Sequence, residues 1–433
     1  MRWGKILAAV AVGLLIAGTS SGWAQERPVS LYETSPLDFQ MGYDSGAPYG
    51  TQKISSPVGI LTLPTFSLQH TSPRNDFELF YQPQFEMFTE APGLDSWNHF
   101  AGLRWQADIS PRWSFTASDT FFANHDDGEL FETTFMLPRG PYRENGLYTS
   151  LNFDLTPRTR IKFRYENAFA DFRSQNLPQP LFFSRMGNTF GVTVDHHLTA
   201  RSLLSVSYSY LLSQSFDQYD YLGNVILPTP ATHILNATYT YNLTDSLLVE
   251  LNGGYIRNPQ NSYILGAIVE KHFQKFTVAG GFNRYLTFLG TETATSIGTP
   301  LEIVATRALA PNSITNTASF RASGPLGQHW LVDAEVLASE TTGDIQSRLR
   351  SAMGGLKVTR KLSDHVAAFV SFDLYRQNMN AILPIPISRG RYFGGIEYTF
   401  SPTPDEINRR KEANRNRDTN SGTQVPPPVV KEN

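Results

Sequence analysis

The sequence predicts an all-β fold, a transmembrane antiparallel up-and-down β-barrel of about 16 strands, within roughly 14 to 18, with short turns on one side and long loops on the other. Three observations predict it: an N-terminal export signal, period-two alternation of apolar and polar residues, and tight turns that recur on one side only. Composition agrees. Aromatic residues make up 12% of the chain, carried by 29 Phe and 19 Tyr, although only 40% of its residues are hydrophobic. Aromatic residues favour strands over helices.

The same composition excludes several classes. There is no cysteine, which removes disulfide scaffolds, cysteine-ligated zinc and thiol nucleophiles. Lys and Arg number 36 against 39 Asp and Glu, a formal charge of -3 that leaves no footprint for nucleic acid.

The export signal comes first along the chain. Arg2 and Lys5 precede an apolar run from Ile6 to Ala17, and Gly22, Trp23 and Ala24 form a cleavage site, so residues 1–24 read as a cleaved signal peptide. That run is shorter than the roughly 20 residues a spanning helix needs. Residues 25–76, rich in turn formers, read as an N-terminal segment, periplasmic or inserted in the lumen. The candidate strand Leu61 to His70 is assigned to it because a further strand would make the count odd.

Residues 77–400 carry the alternation. Ile161, Phe163 and Tyr165 interleave with Arg160, Lys162, Arg164 and Glu166. Leu204, Val206, Tyr208, Tyr210 and Leu212 interleave with serines, and Leu235, Ala237, Tyr239 and Tyr241 with Asn236, Thr238 and Thr240. One row must meet an apolar medium and the other water. Sixteen strand starts follow, near residues 77, 97, 112, 146, 159, 188, 202, 232, 246, 262, 275, 313, 329, 347, 365 and 388. The turns repeat as Ile109-Ser110-Pro111-Arg112, Leu155-Thr156-Pro157-Arg158, Leu198-Thr199-Ala200-Arg201, Leu243-Thr244-Asp245-Ser246 and Leu362-Ser363-Asp364-His365; the first four start 46, 43 and 45 residues apart. Pro-rich phrases, among them Leu177-Pro178-Gln179-Pro180 and Leu383-Pro384-Ile385-Pro386, mark where pairing stops and a loop meets the next strand. Residues 401–433, Pro-rich with mixed charge, read as a disordered periplasmic tail.

The segment Tyr392 to Phe400 gives the chain its resemblance to bacterial outer-membrane β-barrel proteins of porin-like architecture. Their last strand ends in an assembly signal that Gly395, Tyr398 and Phe400 match, although Phe393 stands where a polar residue is usual and 33 residues follow Phe400. The resemblance implies residence in the bacterial outer membrane after export across the inner membrane. It also implies outer-membrane lipid and lipopolysaccharide, the barrel-assembly machinery and small hydrophilic solutes as partners.

The inward row offers a wall of opposed charges. Basic candidates are Arg104, Arg160, Lys162, Arg164, Arg284, Arg321, Arg348, Arg350 and Lys357; acidic ones are Glu78, Glu86, Asp108, Glu166, Glu250, Asp333, Glu335, Asp373 and Glu397. Arg160, Lys162 and Arg164 form a basic ladder, partly neutralised by Glu166, that favours anionic solutes. Trp105, Trp113, Tyr208, Tyr239, Tyr241, Trp330, Tyr398 and Phe400 fit an aromatic girdle near strand ends.

No Gly-x-Ser-x-Gly elbow is present, the adjacent His196 and His197 point to opposite faces of a strand, and no cofactor or enzymatic activity is expected. His125, Asp126, Asp127 and Glu129 offer oxygen ligands of the kind calcium takes, with a solvated loop tip as the plainer reading. The function expected is an outer-membrane channel for diffusion or export of small hydrophilic or anionic solutes, oligosaccharide included. The alternative is a plugged structural or polysaccharide-binding barrel without an open pore.

Overall fold

The computed structural model describes residues 30–33, 37–49, 52–124, 141–172, 185–215, 231–257, 261–287, 313–342, 348–363, 365–379 and 383–399. Twenty strands account for nearly all of them. The first four are β1 (Ser30–Glu33), β2 (Leu37–Tyr49), β3 (Gln52–Thr62) and β4 (Phe66–Thr71). Then come β5 (Asn75–Phe88), β6 (Ser96–Ser110), β7 (Trp113–Asn124), β8 (Tyr142–Thr156), β9 (Thr159–Phe172), β10 (Arg185–Thr199), β11 (Ser202–Ser215) and β12 (Thr232–Thr244). The last are β13 (Leu247–Arg257), β14 (Ser262–His272), β15 (Thr277–Thr287), β16 (Ser313–Leu326), β17 (Trp330–Thr342), β18 (Arg348–Lys361), β19 (Val366–Met379) and β20 (Leu383–Tyr398).

Eighteen strands close into a ring. From β5 to β20 each pairs antiparallel with the next, β20 pairs with β2, β2 with β3, and β3 with β5. Closure leaves no unpaired edge, the condition for a strand to cross lipid. Each of the sixteen strand starts read from the alternation falls at or within a few residues of the start of a strand from β5 to β20. The N-terminal segment is where the reading needs correction: residues 37–62 are wall, not plug or periplasmic extension, because β2 and β3 form the hairpin that closes the ring. The excluded run Leu61 to His70 is the end of β3 continued as β4. β3 pairs with the second half of β5 and β4 with the first, and the Leu63 amide donates to the Pro83 carbonyl between them at 3.0 Å. β1 pairs with β4 and so lengthens the same corner. Residues 1–24, the tail from Phe400, and the acidic cluster His125 to Glu129 lie outside the described residues.

The turn repeat has a mechanical cause. In each phrase the hydroxyl of the second residue accepts the amide two positions on: Ser110 from Arg112 at 3.3 Å, Thr156 from Arg158 and Thr199 from Arg201 at 3.2 Å, Thr244 from Ser246 at 3.3 Å, and Ser363 from His365 at 3.2 Å. The last turn residue's carbonyl then accepts an amide of a neighbouring strand, as Arg112 does from Asp154 and Arg158 from His197, both at 2.9 Å. Thr156→Ala removes one such acceptor from an exposed turn. The expected loss is about 0.5–1 kcal/mol, read as a small drop in the urea unfolding midpoint of vesicle-inserted protein.

The phrase Leu383 to Pro386 is not a loop but the start of β20. Its prolines cannot donate to the ladder, so the register slips there: Gln377 faces Ile387 while Met379 faces Leu383.

Candidate functional site

The wall has two faces of opposite character. Large apolar side chains stand exposed on one, among them Val336, Val370, Leu265, Ile396, Phe320 and Phe163. Protein dissolved in water does not spread such a surface over all sides, whereas lipid requires it. The chain is a transmembrane β-barrel of the outer-membrane type. No family model matches it, and no curated protein is similar. Its fold is similar to those of OccAB2 from Acinetobacter baumannii (12% identity, TM-score 0.46, covering 86% of this chain and 98% of that one) and OccK5 (OpdH) from Pseudomonas aeruginosa (10%, 0.44, 85% and 98%). It is also similar to that of the siderophore receptor PirA from Pseudomonas aeruginosa (9%, 0.39, 86% and 81%).

Aromatic residues gather toward the turn ends of the outer face. Trp113 packs on Phe153 at 4.6 Å, Trp105 on Phe115 at 5.2 Å and Tyr239 on Tyr241 at 6.2 Å; the Arg360 guanidinium lies over Trp330, and Tyr398 lies beside His365. Toward the loop ends the Tyr208 hydroxyl lies 2.7 Å from Nδ1 of His233, and that of Tyr81 lies 2.8 Å from Nδ1 of His99. These two tyrosine–histidine pairs were not anticipated.

The inner face carries the charges, and they come in pairs. On β9 the Arg160 Nε donates to Asp154 at 2.6 Å, Lys162 Nζ lies 2.6 Å from Asp195, and Arg164 donates to Ser209 at 2.8 Å with its Nε 3.7 Å from Glu166. The basic ladder is therefore matched by carboxylates on both neighbouring strands, not by Glu166 alone. Arg104 meets Glu78 at 3.4 Å, Arg321 meets Asp333 at 3.0 Å with Glu335 directly across the ladder from it, and Lys357 meets Glu397 at 2.6 Å. Glu250 is buried on β13. Arg284 and Arg350 stand on the outer row instead. Arg284 faces the exposed Leu265 across the ladder, and Arg350 shares its parity with the exposed Leu356 rather than with Lys357.

Exposure divides the lumen along its length. Side chains toward the turns are wet, with Arg104 56%, Lys357 41% and Lys162 39% exposed. Toward the loops the inward residues are out of water, with apolar clusters set among buried hydroxyls and amides such as Thr315, Thr341, Ser339, Ser351 and Gln377. Ile234 faces Ile256 beside Leu211 and Ile264, and Leu337, Met353 and Tyr375 lie side by side in one row with Ile387 against them. Val58, Ile60, Phe88, Leu94 and Phe393 form a third buried cluster. Leu94 belongs to the short 3-10 turn Pro92–Leu94, held where the Asp95 carboxylate accepts the Phe88 amide at 2.8 Å.

The most deeply buried charges lie at the seam of β2 and β20. Arg389 grips Asp44 through Nε at 2.9 Å and 3.1 Å and through Nη2, and neither side chain is more than 1% exposed. Arg391, directly across the ladder from Asp44, lies 3.9 Å from it and reaches 3.6 Å from Glu86. Sequence reading placed Glu86 on the wall but missed the other three. The signal was there: Asp38, Gln40, Gly42 and Asp44 alternate in one polar row, and Arg389, Arg391 and Glu397 in another.

Two residues of the segment that resembles an assembly signal, Gly395 and Phe393, have local structural reasons to be what they are. A Cβ at Gly395 would fall 2.4 Å from the Phe369 ring, which lies over the glycine directly across the ladder. Phe393 fills the space that Gly42 leaves open, 2.5 Å from where a Cβ would stand.

Proposed function

We propose that this barrel is an outer-membrane channel for small hydrophilic solutes, with its wet vestibule on the turn side and its constriction toward the loops. The observation that carries the reading is the water-exposed ion pairs on the inside of a closed wall: a filled barrel would bury Arg104, Lys162 and Lys357. Opposed charges on a water-filled wall select by charge and dipole. Because Asp154 and Asp195 offset Arg160 and Lys162, the channel prefers anions only weakly.

A second reading has its own observation. The apolar clusters on the inner face near the loops are dry, which fits a barrel whose lumen is closed at that level and which holds a ligand instead of conducting. Planar bilayer recording on refolded protein lacking residues 1–24 separates the two. Stepwise single-channel currents with a slight anion preference are expected. A silent membrane containing protein shown to be folded and inserted would overturn the channel.

A further inference from the structure

Four turns repeat an arginine whose side chain the turn does not use. Arg74, Arg112, Arg158 and Arg201 follow Ser72-Pro73, Ser110-Pro111, Thr156-Pro157 and Thr199-Ala200. At the last three the turn is made by the arginine's amide, donated to the hydroxyl, and at the last two and Arg112 by its carbonyl, donated to by the next strand. At the first, Ser72 accepts the Asn75 amide at 3.1 Å and the Arg74 carbonyl accepts from Asp108. Any residue with a backbone N–H and C=O would serve. The guanidinium is surplus to the turn.

All four arginines are exposed. Among the described residues Arg74, Arg112 and Arg158 have no ion pair, and Arg201 has only Asp245, 3.7 Å away and itself fully exposed. The four turns are consecutive around the ring, joining β4 to β5, β6 to β7, β8 to β9 and β10 to β11. Each step crosses two strand spacings, about 10 Å, so the guanidiniums form an arc of about 30 Å on one half of the rim. The other half is mixed, with Asp245, Lys275, His329 and His365 at its turns.

What lies beside the arc decides its ligand. Immediately before the hydroxyl in three of the phrases stands an apolar residue left bare on the outer face: Ile109 at 59%, Leu155 at 50% and Leu198 at 46% exposed. Trp113, next to Arg112, packs on Phe153 on that same face. An apolar anchor followed three residues later by an exposed guanidinium sets the charge just beyond the hydrocarbon, at headgroup depth. We propose that the arc of Arg74, Arg112, Arg158 and Arg201 binds the phosphates of acidic phospholipids in the turn-side leaflet, making one half of the rim an anionic-lipid site. The site needs the barrel to be in a membrane but does not need it to conduct.

The test compares wild type, the variant Arg74→Gln/Arg112→Gln/Arg158→Gln/Arg201→Gln, and a control, Lys275→Gln/Arg360→Gln/Lys361→Gln, from the other half of the rim. Every backbone and hydroxyl bond of the turns survives in the variant, and heat-modifiable mobility establishes that each protein is folded. Two quantities are read: phosphatidylglycerol retained on purification, and the shift in unfolding midpoint between phosphatidylcholine vesicles and mixed phosphatidylcholine–phosphatidylglycerol vesicles. Wild type and control should retain the acidic lipid and show the shift, and high salt should abolish it. The four-arginine variant should retain at least about fivefold less and show no shift. Full retention by that variant, or equal loss in the control, overturns the proposal. So does inorganic phosphate reproducing the shift in phosphatidylcholine alone, which would assign the arc to soluble phosphate. A variant that loses anion preference in conductance while keeping its lipid would assign the arc to passing solutes and equally overturn it.

Discussion

Asp44→Ala should unfold at markedly lower urea than wild type, with a stability loss of about 3–5 kcal/mol. The magnitude follows from burial. Asp44 accepts from both Nε and Nη2 along one edge of the Arg389 guanidinium, and neither side chain is more than 1% exposed, so removing the carboxylate leaves a cation in a dry wall. A surface pair behaves differently: Glu78→Ala, which frees the half-exposed Arg104, should cost no more than about 1 kcal/mol. The double variant Asp44→Ala/Arg389→Met should recover much of the loss, since replacing a buried pair with apolar groups is often close to neutral. The measurement is urea unfolding in vesicles, with heat-modifiable mobility on gels as the folding check. Strictly additive losses in the double variant would show that the two residues do not act together.

The position of this pair explains its weight. β2 and β20 lie far apart in sequence, and their pairing is the one that turns a sheet into a ring. A one-residue slip at that seam would turn Asp44 out to lipid and leave the inward Arg389 without its carboxylate. Buried opposite charges therefore fix the register of closure at the place where no short turn does. Gly42 and Phe393 act in the same sense, because any side chain at residue 42 would meet the Tyr392 carbonyl and the Phe393 ring.

Much of the wall could be read from the residues because its physics is local. Period two assigns each side chain to lipid or lumen, and the Ser/Thr hydroxyl makes each turn within three residues, so β5 to β20 follow from segments of about a dozen residues. The hairpin of β2 and β3 was obscured by its own composition. Ser45, Gly46, Ala47 and Pro48 look like a loop, but Ser45 and Gly46 form a bulge, with the register shifting between Asp44 and Ala47, and Ala47 and Pro48 pair with Ile54 and Lys53. Ser55, Ser56 and Pro57 look like another, yet Ser56 lies directly across the ladder from Asp44. Small residues here let the loop-side packing approach closely and do not break the strand. Arg350 was misplaced for a simpler reason. Arg350 stands seven residues from Lys357 along an unbulged β18, an odd step that sends it outward. Of the ladder's partners, Asp154 lies across the same tight turn from Arg160 and was within local reach, whereas Asp195 stands 33 residues from Lys162 and meets it only through the pairing of β10 with β9.

Those partners make the ladder the best place to change what passes through the lumen. Asp154→Asn and Asp195→Asn together remove two carboxylates without changing side-chain size, leaving Arg160 and Lys162 as net charge on a wet wall. A unit charge about 4 Å from a passing ion contributes about 1 kcal/mol in water, so the anion-to-cation permeability ratio should rise about fivefold or more. Reversal potentials under a salt gradient report it directly. The opposite change, Arg160→Gln with Lys162→Gln, leaves the carboxylates uncompensated and should move the reversal potential the other way. A structural role for these pairs would weaken the barrel in both variants without reversing sign, so the pair of measurements distinguishes wall chemistry from wall stability. Salt sharpens the test. The Debye length is about 3 Å at 1 M and about 30 Å at 0.01 M, so both shifts should shrink toward zero as ionic strength rises if the charges act on ions in the lumen. Equal selectivity in both variants at low salt would mean that the conducting path does not run along β9, and that the wet charges elsewhere on the wall, Arg104 and Lys357 among them, line it instead.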